Sequence, residues 1–260
     1  MSIHPTAIID SSAEIDASAS VGPYALIGPR VTVGPEVEIM GHAFIDKDTS
    51  IGQGSRIFPF ASVGADPQDL KYQGERTRLV IGRNVTIRES STVHRGTGHG
   101  GGLTEIGDGG LIMATVHVAH DCRLGAGVIL SSYAVLAGHV TVGEGAIIGG
   151  LSAIHQFCRI GRHAFLGGGS GVTKDMPPYM AGAGGRSREV VLSGPNVVGL
   201  RRRAVPPETV NALKEVFGII CRNHRPLAEV LAEAEAACAQ VPEARAVIDF
   251  YQSSERGVYR

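Results

Sequence analysis

Five histidines stand close together in the middle of this 260-residue chain: His94, His117, His120, His139 and His155. An unperturbed imidazole titrates near pH 6.5, so it can take and return a proton at working pH. Two chemistries fit such a group. A histidine beside a glycine N–H is the minimum equipment for acyl transfer. The base removes a proton from an attacking hydroxyl, and the N–H steadies the oxyanion. Asp121, next to His120, is placed to orient or support an imidazole; its plain alternative is a solvated turn residue. The competing chemistry is a zinc site, with His117-x-x-His120 and one more imidazole leaving an open position. That spacing is loose and brings no identifiable outer partner. Any one of these histidines, taken alone, reads equally well as a solvated side chain.

What the histidines can meet depends on the elements that carry them. An aliphatic residue recurs at every sixth position: Ile3, Ile9, Ile15, Val21, Ile27 and onward to Val63, then Ile81, Ile87 and Val93, then Ile106 through Val172. Helices repeat near 3.6 residues and half-buried strands at 2, so neither accounts for this period. A six-residue repeat is the signature of a β-solenoid whose hexapeptides form the sides of a triangular coil. Glycine often follows the aliphatic residue, as at Gly22, Gly107, Gly125 and Gly143. Glycine there suits a corner with unusual backbone angles or a close approach. The residue four places on is usually small, as at Ala25, Ala43, Ala134 and Ala164, so large and small residues share a narrow interior. Roughly nine or ten coils at about 4.8 Å each make a prism some 45 Å long, with no room inside for a ligand.

The period also works as a ruler. Three hexapeptides close one coil, so residues eighteen apart stack. His120, Gly138, Gln156 and Lys174 form one column; Asp121, His139 and Phe157 form the next. The ladder fails twice, once across GADPQDLKYQGERTR and once across HRGTGHGGGLTE, and both stretches read as loops thrown out from the wall. Loops on a rigid scaffold are where function tends to sit. Beyond Val172 the period changes. A Pro/Gly-rich stretch leads to three helical segments, PPETVNALKEVFGIICRNH, LAEVLAEAEAACAQV and PEARAVIDFYQSS. They read as a cap over the last coil, whose open edge is otherwise a pairing hazard.

Composition agrees with one soluble architecture. Glycine is abundant (36 residues), tryptophan is absent and the formal net charge is −1, so no global attraction to nucleic acid or membrane surface is implied. No apolar run is long enough to span a bilayer. The chain starts in the repeat without a signal-peptide pattern. Cys122, Cys158, Cys221 and Cys238 lack CxxC spacing, and a reduced cytoplasmic setting is expected.

The ladder, HVAHDC and AGHVTVG together resemble the hexapeptide-repeat acyltransferases. More specifically, QDLKYQGERTR, IRESSTVHRGT, VHVAHDC, LAGHVTVG, AIHQFCRIG, DMPPY, GLRRR and the terminal SSERGVYR are similar to motifs of the UDP-N-acetylglucosamine O-acyltransferases, which open lipid A biosynthesis in Gram-negative bacteria. The resemblance covers essentially the whole chain. It implies an all-β solenoid plus α: a left-handed parallel β-helix over 1–190, with external loops near 64–80 and 94–105, and a C-terminal helical domain over 191–260. It implies a homotrimer, no metal and no cofactor. The implied reaction moves a 3-hydroxyacyl chain from acyl carrier protein to the glucosamine 3-position of UDP-N-acetylglucosamine.

Carried over residue by residue, the resemblance makes His120 the general base, Asp121 its support and Gly138 the oxyanion donor. Asp69, Lys71, His94, His117, His139 and His155 would surround the sugar, diphosphate and acyl chain. Gln156, Asn196, Arg202 and Arg203 would hold the nucleotide, arginine being suited to phosphate by its paired donors. Some positions depart from the family pattern. Val198 stands where an acidic residue is common, and the segment before Asn196 is longer and lacks a histidine that some relatives use for the acyl chain. Gly168 stands where a bulky residue shortens the acyl pocket in some members, which predicts a longer donor chain. Arg186, Arg188 and Arg201–Arg203 are candidates for steering an acidic carrier. The alternatives are a zinc lyase resembling the γ-type carbonic anhydrases, a non-catalytic scaffold, and the later N-acyltransferase of the same pathway, which carries an extra N-terminal domain.

Overall fold

The structure, a computed structural model, describes residues 2–185, 189–222 and 225–260. Arg186 and Arg188 lie outside the described residues. The ladder folds into a three-sided parallel coil. Its faces are sheets of eleven, nine and eight strands among the described residues, and successive strands of one face come from every third strand of the chain. We call them the first, second and third faces; they begin at Ser2–Ile3, Ile8–Ile9 and Glu14–Ile15. The register follows the expected ruler: His117 pairs with Val135, and Ile147 with Phe165, each eighteen residues on. Most strands are only two residues long, because the chain must turn a corner every hexapeptide.

Burial explains the ladder. Ile57, Ile87, Leu130, Leu136 and Leu166 are fully buried, as are the small partners Ala25, Ala134 and Ala164. Cys122 and Cys158 share that inward small position, and burial pushes the Cys122 thiol up to about 12, so it packs as a neutral hydrophobe. The first coil is the exception: Ile3 is exposed and Ile9 and Ile15 are only partly buried, because no coil lies below them.

The corners show which of the two roles glycine plays. Except for Gly64 (φ 85°), where the first loop leaves the wall, the glycines after the aliphatic residue are not in a left-handed conformation; they are there for close approach. A Cβ on Gly22 would come 2.6 Å from the Gly41 nitrogen, and one on Gly125 would come 2.5 Å from the Glu144 nitrogen. The left-handed residue is instead the third after the aliphatic position, in coil after coil: Tyr24, Arg30, His42, Asp121 (φ 59°), His139 (φ 61°) and Phe157 (φ 64°). Asp and His tolerate that region better than most residues. Asp121 and His139 are therefore corner residues by backbone geometry as well as by column.

The residue before the left-handed one has a further property. Pro23, Pro29, Pro35 and Pro59 occupy it, and proline has no N–H to offer. Its carbonyl accepts from the coil above, as Pro23 O does from His42 N (2.9 Å), while its nitrogen is not needed by the ladder. Any non-proline residue at that place presents an N–H to the outside.

The regular coil ends at Gly171–Val172, after which Met180–Gly184 continues the first face and Val190–Pro195 pairs antiparallel with it. The split expected after residue 190 falls at the start of this last strand. Four helices follow: α1 (Val197–Arg202), α2 (Pro207–Cys221), α3 (Leu227–Cys238) and α4 (Pro242–Gln252). Helices α2 to α4 occupy the three segments with helical spacing, and α2 and α4 start on prolines suited to a first turn. Helix α1 and its C-cap, Arg203, hold the GLRRR motif, which sequence spacing did not reveal as helical. The terminal residues close the end of the prism. Tyr259 is buried, its hydroxyl accepts from Thr173 N (2.9 Å), and its carbonyl accepts from the Tyr251 hydroxyl (2.7 Å).

Candidate active site

The two breaks in the ladder become loops that meet over one corner, between the second and third faces. Arg95, fully buried, ties the first loop to the wall: its guanidinium donates to Gly64 O, Asp66, Asp46 and the Tyr72 hydroxyl. Arg76 from the same loop donates to Asp48 (2.9 Å), which also pairs with Arg30; the two guanidiniums hold its carboxyl down to about 2. The second loop joins the first where Gly98 N donates to Glu75 (2.8 Å).

Beneath them is a cavity of about 370 Å³ lined by Asp69, Lys71, His99, Gly100, His120, His139, Gln156 and Phe157. His120 is 9 % exposed, and its Nδ1 lies 2.8 Å from Asp121 Oδ2. A carboxylate only accepts, so the shared proton sits on Nδ1, and in the neutral ring the lone pair is then on Nε2. Nε2 lies 3.9 Å from Asp69. One coil on, the Gly138 Cα faces the ring so closely that a Cβ there would come 2.5 Å from His120 Cε1. Gly138 occupies the corner place whose nitrogen the ladder does not use, and among the described residues its N–H has no hydrogen-bond partner. The expected pairing of an imidazole with a glycine N–H is thus assembled by stacking. His139 stands edge-on to His120 (ring centroids 5.1 Å) and stacks on Phe157 (4.5 Å).

His94 and His117 form a second, edge-on pair on the second face (5.1 Å). His117 shares a hydrogen bond with Thr92 (2.7 Å). Burial, reinforced by His117 and His120, pulls the His94 imidazole down to about 4, and burial lowers His117 and His139 as well. His94, His117 and His139 are thereby held neutral at working pH. The competing zinc arrangement, His117-x-x-His120, is not the one the fold assembles among the described residues. The donor atoms that converge, all within 4.8 Å of one another, belong to His120, Asp121 and His139. The Asp121 carboxylate among them already accepts from His120 and Thr97.

The remaining candidates lie elsewhere on this chain. His155 is exposed, close to Gln156 O and Arg256, and outside the cavity. Gly168 sits on the corner between the first and second faces, above Gly150. Asn196 caps α1: its side chain accepts from Gly199 N (3.1 Å) and donates to His163 O (3.1 Å) at the corner between the third and first faces. Arg203 donates to Gly145 O (2.9 Å) at that same corner. Arg202 lines an apolar cavity of about 450 Å³ with Phe165, Val197 and Val198. Sequence reasoning missed Arg95, Thr97 and His99. All three stand in HRGTGHGGG, which was legible only as a break; no periodicity says which way a loop side chain points.

A parallel β-helix that sets an imidazole against an unbonded N–H at one corner has the fold and the pair of groups that acyl transfer by a hexapeptide-repeat acyltransferase would use. Residues 175–259 match the family model described as UDP-N-acetylglucosamine O-acyltransferase, domain 2. An acyl-[acyl-carrier-protein]--UDP-N-acetylglucosamine O-acyltransferase from Thermodesulfovibrio yellowstonii is 46% identical over 258 residues, covering 99% of both chains. Solved structures agree. LpxA from Acinetobacter baumannii superposes with a TM-score of 0.95 at 41% identity, covering 99% of each chain, and the UDP-N-acetylglucosamine O-acyltransferase from Moraxella catarrhalis with 0.95 at 40% identity, covering 100% of each. The chain belongs to the acyl-[acyl-carrier-protein]--UDP-N-acetylglucosamine O-acyltransferase family. Its coil is the left-handed β-helix of those structures, an exception to the right-handed crossover rule that period alone does not reveal.

Proposed function

We propose that this protein transfers a 3-hydroxyacyl group from acyl carrier protein to the glucosamine 3-position of UDP-N-acetylglucosamine, the first step of lipid A biosynthesis, with His120 as general base. The observation that carries this reading is the free Nε2 of His120 beside the unpartnered N–H of Gly138. The acceptor hydroxyl gives its proton to Nε2 as its oxygen bonds to the thioester carbon. The carbonyl oxygen becomes an oxyanion and accepts from the Gly138 N–H. Collapse breaks the carbon–sulfur bond, and the leaving thiolate takes the proton back from the imidazolium. Asp121 keeps the ring in the required tautomer and balances its transient charge.

Asp69, Lys71, His139 and Gln156 line the cavity and are placed to bind the sugar and its phosphates. Asn196, Arg202, Arg203 and Gly168 sit on other corners, so one chain does not bring them to His120. A trimer of parallel prisms supplies what one chain lacks: the corner bearing Asn196 and Arg203 in one copy faces the cavity of the next. Exposed Tyr24, Phe60, Tyr133 and Leu151 along the first–second corner support burial against another copy. No described helix is long and apolar enough to cross a membrane, and the cysteines are free thiols, in keeping with a cytoplasmic enzyme. Gly168 adds no side chain at its corner and favours a longer acyl donor.

The test uses purified protein, UDP-N-acetylglucosamine and 3-hydroxyacyl carrier proteins of several chain lengths. We expect a singly acylated sugar nucleotide, with His120→Ala folded and slower by roughly a hundredfold or more. Unchanged turnover in that variant sinks the assigned base. Strong preference for ten-carbon donors sinks the reading of Gly168.

A further inference from the structure

We propose that Thr97 is a positioning residue that fixes which of two histidines the Asp121 carboxylate serves; this rests on the reading of His120 as the base. Asp121 lies between two imidazoles. His120 Nδ1 is 2.8 Å from Oδ2, and His139 Nε2 is 3.8 Å from the same oxygen. Nothing in the two ring positions alone forces the choice, because a modest rotation of the carboxylate would favour His139 instead.

Thr97 removes that freedom. Its backbone N–H donates to Oδ1 (3.0 Å) and Oδ2 (3.2 Å), and its hydroxyl donates to Oδ2 (2.7 Å). Gly100 N donates into Thr97 Oγ1 (3.1 Å), and of the two groups within reach of the hydroxyl hydrogen the charged Asp121 Oδ2 (2.7 Å) is nearer than His99 Nε2 (3.5 Å), so the hydroxyl donates to the carboxylate. The loop is built tightly around this contact. A Cβ on Gly100 would collide with the Asp121 carboxylate, and one on Gly96 would come 2.8 Å from Asp121 Oδ1. Gly102 N closes the loop onto Thr97 O (2.8 Å). On the opposite side, the Asp121 N–H donates to Thr104 Oγ1 (2.8 Å), fixing the backbone that carries the carboxylate. Thr97 is fully buried and does not line the cavity, so it acts through Asp121 and not on substrate.

The physical consequence is a locked tautomer. With Oδ2 held against His120, the ring keeps its proton on Nδ1 and its lone pair on Nε2. Without the hydroxyl donor the carboxylate divides its time between two histidines, and part of the population carries the wrong tautomer. Hydrogen bonds to charged groups are strong enough that the loss should cost roughly 10- to 100-fold in kcat.

Thr97→Ala and Thr97→Ser, neither of which adds volume to the loop, are compared with wild type and with His120→Ala in full pH–rate profiles. Thr97→Ala should lower kcat by about tenfold or more with KM little changed. It should also move the acid limb of kcat/KM to lower pH, because the Asp121 charge is no longer held against the His120 imidazolium; Asp69, 3.9 Å from Nε2, is the other carboxylate that faces the ring and is unchanged. Thr97→Ser should restore both. Equal kcat in Thr97→Ala and wild type overturns the proposal while leaving the base intact if His120→Ala is still inactive. A lower rate in Thr97→Ala with the pH profile unmoved, or no rescue by serine, marks a merely structural loop contact and also overturns it. Full turnover in His120→Ala overturns the base reading itself.

Discussion

At the scale of single residues, burial decides the chemistry of this corner. Five histidines have one side chain in common and five different surroundings. His120 keeps one nitrogen on a carboxylate and the other on a cavity, whereas His94 is buried with its Nδ1 unpartnered. His94 therefore makes a stability prediction. Its ordinary value of 6.5 falls to about 4 on folding. As pH drops through 6.5 the unfolded chain takes up a proton that the native chain refuses until about 4, so stability falls across that window and levels off below it. The contribution is about 3 kcal/mol at most. Denaturant unfolding between pH 7 and pH 4 should show this slope, and His94→Phe should make it shallower, leaving the parts owed to His117 and His139; an unchanged slope in the variant removes His94 as a source. Asp121 was readable from the sequence only as a support or a solvated turn. What distinguishes the two is the Thr97 loop that shuts it from water, and that loop leaves no periodic trace.

At the scale of the element, one hexapeptide carries three separate demands. The aliphatic position fills the prism, the next position must let the coil above approach, and the left-handed position turns the corner. The ladder and its small partners were legible because they repeat, and the repeat is enforced by packing in every coil. Sequence reasoning left two roles open for the glycine after the ladder residue, unusual angles or close approach; in most coils the structure shows close approach and puts the unusual angles two residues further on. These demands predict unequal costs. Gly125→Ala drives a Cβ to 2.5 Å from the Glu144 nitrogen and should cost about 1–3 kcal/mol by overpacking. Ile148→Ala empties a fully buried ladder position and should cost about 2–5 kcal/mol. Thermal and denaturant unfolding check both; a Gly125→Ala protein as stable as wild type would show that the coil can spread. Gly138→Ala is different in kind. Its Cβ presses on the His120 ring, so it should cost turnover more than stability.

At the scale of the whole molecule, a prism without an interior must build its site from surface. Two loops roof one corner, while Asn196, Arg203 and Gly168, which we propose for recognition, lie on the other two corners. The proposed trimer makes a definite prediction. His120→Ala and Asn196→Ala spoil different corners. In randomly mixed trimers a site is intact when one copy gives a good first corner and its neighbour a good second, a half times a half, so about a quarter of sites regain function. Activity after dissociating and remixing the two inactive variants measures this. No recovery, with both variants trimeric by sedimentation, places the whole site within one chain.

The amino-acid sequence by itself determined the coil, its register and its eighteen-residue stacking, because a narrow interior admits only one pattern of large and small side chains and punishes any slip in every turn. It also determined the column that sets His120 beside Gly138, since that follows from the register alone. Tertiary structure decided what happens outside the register. It chose the partner of Asp121, joined the two loops through Arg95 and Glu75, brought His99 to the cavity, and scattered Asn196, Arg203 and Gly168 over other corners. Those outcomes depend on contacts between segments that share no period, and only the folded chain brings such segments within reach of one another.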